Sequence, residues 1–289
     1  MSEKQIDEVT GVSTTGHEWD GIKELDNPMP RWWLWTFYAS IVFAIGYMIA
    51  YPAWPMVTSA TKGVLGYSTR ATLDEEMDTA NLAKASYLDA VASKTIDEVI
   101  ADDNLRAFAA AAGAAAFRVN CVQCHGSGAQ GGPGYPNLND DDWLWGGSAD
   151  EIQQTIAHGV RYEEDPDTRI SEMPPFHDVL APAEIAQVAT YVASLTGHQG
   201  DASAADIQAG AQIFADNCAS CHGESGEGDR EFGAPDLRDA IWLYGSSVDD
   251  IARQVRAPRH GVMPAWKGRL GDTVVKELAV YVHSLGGGE

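Results

Sequence analysis

The chain has 289 residues, about twice an ordinary domain, which favours two modest domains plus a short extra element over one large core. Apolar residues make up 45% and charged ones 21%, so it can bury ordinary cores and is not disordered throughout. With 19 Lys+Arg against 42 Asp+Glu the formal net charge is −23, which makes nucleic acid or a polyanionic lipid surface a poor partner for the bulk of the chain and favours a basic protein.

Residues 1–31 form an acidic tail. Residues 32–51, WWLWTFYASIVFAIGYMIAY, are free of charge. As a helix at about 1.5 Å per residue this run reaches across the roughly 30 Å hydrocarbon layer of a bilayer. Trp32, Trp33 and Trp35 stand at one end and Tyr47, Tyr51 and Trp54 at the other, as interfacial belts require, and Pro52 and Pro55 close the helix. The transmembrane element is therefore set at 32–52. A buried core helix would carry a polar stripe, and a cleaved signal peptide would have a shorter apolar stretch behind a brief basic start. Lys23 and Arg31 before the span balance Lys62 and Arg70 after it, so charge does not orient it. Residues 53–100 read as a connector, with Leu82, Tyr87, Leu88, Val91, Ile96, Val99 and Ile100 at helical spacing predicting one or two helices over 73–100.

From there the chain repeats. Gly113, Phe117, Cys121, Cys124, His125 and Gly126 return as Gly210, Phe214, Cys218, Cys221, His222 and Gly223. Pro136-Asn137-Leu138 and Trp143-Leu144 return as Pro235-Asp236-Leu237 and Trp242-Leu243, and Met173-Pro174 returns as Met263-Pro264. Each copy ends in a periodic helix, 184–195 with Tyr191 and 273–285 with Tyr281. Two copies of one small domain, 101–198 and 199–289, joined at a small polar linker, are the economical arrangement. Neither copy shows alternating strand patterning, so both are expected to be all-α, with the helix carrying Gly and Phe crossed closely by the helix carrying Tyr.

Cys-x-x-Cys-His is the attachment signature of c-type haem: two thiols add across the porphyrin vinyl groups and the adjacent imidazole reaches the iron. A bare Cys-x-x-Cys also suits a zinc site or a redox dithiol. Here both copies of the full signature lie in one repeated context and use all four cysteines. Met173 and Met263, each before Pro in a loop ahead of the last helix, are the candidate sixth ligands, a soft thioether that raises the potential. The competing role for each is simple packing. His158, His260 and His177 are rival ligands, read instead as hydrogen-bonding or surface groups. Ligation within each copy is simplest, with His125 and Met173 on one iron and His222 and Met263 on the other, yet two abutting copies could exchange their methionine loops. The first copy carries an extra acidic stretch, 161–171, with Glu163, Glu164, Asp165 and Asp167, either a solvated insertion or part of a docking face. Covalent haem attachment takes place outside the bacterial cytoplasm, which puts both copies in the periplasm and the tail inside.

The tail Gly16-His17-Glu18-Trp19-Asp20-Gly21-Ile22, continuing through Glu24-Leu25, Asn27-Pro28 and Pro30-Arg31-Trp32-Trp33, completes a resemblance. With the single span, the connector and two class I cytochrome c units, the chain resembles the membrane-anchored diheme subunit III of the bacterial cbb(3)-type cytochrome c oxidase. That resemblance implies a non-catalytic electron relay in the inner membrane. It would hold two covalent haems c, taking electrons from a donor cytochrome c or the bc complex and passing them to the monoheme subunit II and the haem-copper subunit I. Cys121, Cys124, Cys218 and Cys221 would be the anchors, and His125, Met173, His222 and Met263 the axial ligands. A freestanding dihaem shuttle shares all this haem chemistry, and a dihaem peroxidase would need one open or His-filled sixth position.

Overall fold

The computed structural model describes residues 5–287. The chain divides into two compact units that meet within a helix, one ending at Ala83 and one beginning at Lys84.

In the first unit the tail folds into a hairpin, β1 (Thr14–Trp19) against β2 (Ile22–Leu25), turned by Asp20 and Gly21 at positive φ. The polar appearance of the tail gave no hint of this pairing. Helix α1 (Arg31–Ala50) matches the expected span and buries no residue within the chain, as a lipid-facing helix should. The chain then doubles back, and the amides of Val64 and Leu65 donate to the terminal carbonyls of Ile49 and Ala50. Those carbonyls would otherwise be orphaned at the helix end.

The connector forms α2 (Thr69–Ser93), which runs across the unit boundary, and α3 (Ile96–Ala101), opened by a capping box between Thr95 and Glu98. The second unit continues with α4 (Asp103–Asn120), the short α5 (Val122–His125), α6 (Ala149–His158), α7 (Pro182–Leu195), α8 (Ala204–Asn217), the short α9 (Ala219–His222), α10 (Val248–Arg256) and α11 (Lys267–His283). Gly271, at φ 80°, bends α11 near its start. Apart from the hairpin, regular structure among the described residues is helical, with long Gly- and Pro-rich loops between.

Two cores hold the second unit together, and they do not coincide with the two sequence copies. One combines α3, α4 and α6 with α11, burying Val99, Phe117, Ile152, Val275 and Leu278. The other combines α8 and α10 with α7, burying Phe214, Ile251, Ile185 and Val188. The expected Gly/Phe against Tyr crossing is present but exchanged. Gly113 and Phe117 of α4 meet Tyr281 of α11, with rings 5.4 Å apart, and Gly210 and Phe214 of α8 meet Tyr191 of α7, with rings 5.3 Å apart. Each copy therefore gives its last helix to the other copy's core.

Candidate functional site

In each copy the Cys-x-x-Cys-His stretch is the tail of a long helix that turns sharply. The Cys121 amide still donates to Phe117 and the His125 amide to Cys121, after which Gly126, at φ 80°, breaks the helix. Glycine is needed there because a side chain rarely adopts that backbone. The chain then loops back so that the His125 imidazole meets the carbonyl of Pro136, Nδ1 to O 3.1 Å. The second copy repeats each step, with Gly223 at φ 79° and His222 Nδ1 3.2 Å from the Pro235 carbonyl.

Because a carbonyl only accepts, Nδ1 must carry the proton, which leaves the Nε2 lone pair free for a metal. Burial holds both imidazoles below their ordinary pKa, against the opposing pull of the proline carbonyl, so each stays neutral and able to ligate. Burial likewise pushes the Cys121 and Cys218 thiols up to about 11, the neighbouring Cys124 and Cys221 adding to the effect. Cys124 and Cys221 are exposed.

The two methionines are also exchanged. Met263 packs against the core that contains Phe117 and Cys121, and Met173 against the core that contains Phe214 and Cys218. Equivalent backbone bonds tie each methionine loop down. Three residues past Met263, the Trp266 amide donates to Ile156 of α6, and three residues past Met173, the Phe176 amide donates to Val255 of α10. The simplest expectation, Met173 with His125 and Met263 with His222, does not match this packing. Of the rival imidazoles, His158 is engaged by Asp165 at 3.1 Å, His177 by the Arg256 carbonyl at 2.9 Å, and His260 is exposed. The acidic stretch acts locally, since its Asp165 fixes His158.

These residues fit a covalently held haem in each copy. Two thiols and an imidazole are fixed at one helix end, a thioether loop packs on the same core, and apolar side chains surround them. The second copy carries one more sign: the indole Nε1 of Trp242 is buried with no acceptor among the described residues, a vacant donor suited to a haem carboxylate. Its counterpart, Trp143, donates to the Gly287 carbonyl. The proline carbonyls are functional groups that inspection of residue types missed, although the repeated Pro-Asn-Leu and Pro-Asp-Leu triplets marked their places.

Comparison with known proteins agrees with this chemistry. Residues 11–58 match the profile described as the N-terminal domain of cytochrome oxidase-cbb3, FixP, and residues 108–192 and 205–282 match cytochrome c oxidase, cbb3-type, subunit III. The chain is 63% identical over 288 residues to the cbb3-type cytochrome c oxidase subunit FixPc of Rhizobium leguminosarum bv. viciae, covering 100% of both chains. It is 61% identical over 286 residues to subunit FixP of Rhizobium meliloti, covering 99% of this chain and 98% of that one. It is 52% identical over 278 residues to subunit CcoP of Cereibacter sphaeroides, covering 96% and 95%. These full-length likenesses favour the oxidase relay over the freestanding shuttle and the peroxidase. The chain belongs to the family of subunit III of the cbb3-type cytochrome c oxidases, as a membrane-anchored electron-transfer subunit of that complex carrying two covalently bound haems c.

Proposed function

We propose that the electron path through this chain runs over two haem sites, each of which would take its methionine from the other copy. Cys121, Cys124 and His125 act with Met263, and Cys218, Cys221 and His222 act with Met173. The observation that carries this reading is the seating of each methionine loop on the other copy's core, through Trp266 to Ile156 and Phe176 to Val255. Bound haem supplies a centre that takes up and gives back one electron, at a potential raised by thioether ligation.

The chain's own residues supply the rest. The four cysteines would fix two porphyrins at helix ends, the proline carbonyls set each imidazole's tautomer and aim, and the two cores would keep water away from the bound group. Because each core borrows a helix from the other copy, both sites lie within one compact unit. The relay is placed between a donor cytochrome c or the bc complex and the monoheme subunit II, which passes electrons to the haem-copper subunit I. Residues beyond α1 lie in the periplasm and the tail in the cytoplasm, a topology supported by the extracytoplasmic setting of haem attachment.

Methionine replacement tests the ligation. In the full-length haem-loaded chain, Met263→His should alter the spectrum of the haem anchored at Cys121 and leave the one at Cys218 unchanged, with Met173→His doing the converse. A within-copy pattern would overturn the exchange.

A further inference from the structure

Where the two methionine loops approach each other, one side chain is bonded to both. Arg161 opens the acidic stretch. Its Nε donates to the carbonyl of Gly261 at 2.8 Å, and its Nη1 donates to the carbonyl of Ser171 at 2.9 Å. Gly261 stands two residues before Met263 and Ser171 two residues before Met173. One guanidinium therefore takes the equivalent carbonyl of each loop.

The backbone beneath it is equally engaged. Val160 exchanges both of its backbone hydrogen bonds with Met263, N to O 2.9 Å and 3.0 Å, and the Arg161 amide donates to Arg169 at 2.8 Å. Gly159 leaves no room for a side chain, because a Cβ there would strike the Met263 carbonyl. Arg161 itself sits at φ 52°, a left-handed conformation that is unfavourable for a non-glycine residue and persists only where surrounding bonds hold it.

The sequence copies explain why the tie is single. After His-Gly-Val the second copy proceeds at once to Met263, whereas the first places Arg161 at that position and reaches Met173 only after the extra loop. The first copy can therefore spend this position on a brace. A planar fork with several fixed donors can satisfy two carbonyls on different segments, which a single ammonium does less well.

We propose that Arg161 is a positioning residue for both axial methionines, a shared brace through which the ligand geometry of the two haem sites is set together. The inference rests on the exchanged ligation proposed above, and it makes the two sites interdependent: loosening one bond network relaxes Met263 and Met173 in the same step.

The test uses the full chain carrying its haems, with Arg161→Gln and Arg161→Lys compared by three readouts. These are covalent haem content, the near-infrared charge-transfer absorption that ferric haem shows while thioether sulfur is its ligand, and the redox titration of both centres. Met173→His and Met263→His assign each signal. Arg161→Gln should weaken the sulfur-ligand band and lower the potential at both haems while haem content is kept, and Arg161→Lys should restore part of each. A change confined to one haem, or none at either, would overturn the inference. Where the glutamine variant fails to retain haem, the lysine variant carries the same comparison. If Met263→His leaves the haem at Cys121 untouched, the ligation itself is wrong; if it alters that haem while neither Arg161 variant does, only the brace is.

Discussion

Gly113 of α4 lies directly against the backbone carbonyl of Glu277 on α11, so close that a Cβ at 113 would overlap it. Gly210 of α8 stands in the same relation to Gln187 of α7. The bare backbone lets each pair of helices cross at short range, and Tyr281 or Tyr191 covers the crossing beside Phe117 or Phe214. Gly113→Ala gains up to about 1 kcal/mol of helix propensity, but the added methyl meets main chain that cannot turn aside. A net loss of about 1–3 kcal/mol is expected by chemical denaturation, with Gly210→Ala behaving alike.

Lys276 links the connector to this core. Its ammonium donates to the carbonyl of Val91 at 2.8 Å and of Lys94 at 2.5 Å, closing the C-terminal end of α2 where carbonyls lack helical partners and the helix dipole favours a cation. Lys276→Met keeps the aliphatic stem and removes the donor. It should cost about 1 kcal/mol and speed amide hydrogen exchange in the last turns of α2, while the spectra of both haems stay as they are.

Much of this architecture was legible from local pattern. The span from 32 to 51 follows from an uncharged run of sufficient length, and the helical connector, the duplicated haem signatures and the closing helices follow from spacing along short stretches; α1 falls where that run put it, and α2, α7 and α11 where periodicity put them. The exchange of helices was not legible, because Tyr191 and Tyr281 are equally good partners for Gly113 and Phe117; nothing within one copy distinguishes its own last helix from the other's. Arg161 was hidden for a different reason. It stands at the head of an acidic run, and its role arises from two carbonyls that carry no side-chain signature.

Glu277 gives the first core a pH dependence. The residue is 3% exposed, its buried Oε1 has no partner among the described residues, and burial raises its pKa to about 7, with Lys84 the nearby charge opposing the shift. A folded pKa above the unfolded value of 4.5 means that the native state holds an extra proton between the two, so stability falls as pH rises from about 4.5 to about 7 and the penalty is complete above that. Glu277→Gln removes the penalty and copies the amide that Gln187 presents at the equivalent crossing. It should stabilise the protein by on the order of 1–3 kcal/mol at pH 8 and change little near pH 4, as read from denaturation midpoints across pH. A variant no more stable at pH 8 than at pH 4, each compared with the unchanged chain, would refute a buried acid here.

The exchange of last helices has a consequence for how the chain can be divided. Residues 101–198 look like a domain by repetition, but α4 and α6 in that segment bury Phe117 and Ile152 against Val275 and Leu278 of α11, which lies outside it. Produced alone, the segment would expose that face and lack Met263, while its own α7 would be left without α8. Losing a large part of a core costs more than the net stability of most small domains. Segment 101–198 alone should therefore show no cooperative unfolding transition, and the same should hold for 199–289. Mixed, the two should regain helical circular dichroism and a single cooperative transition, because the exchanged helices then find their partners across the cut. A stable, cooperative 101–198 on its own would require α7 to fold back onto α4, with Tyr191 taking the place of Tyr281 over Gly113.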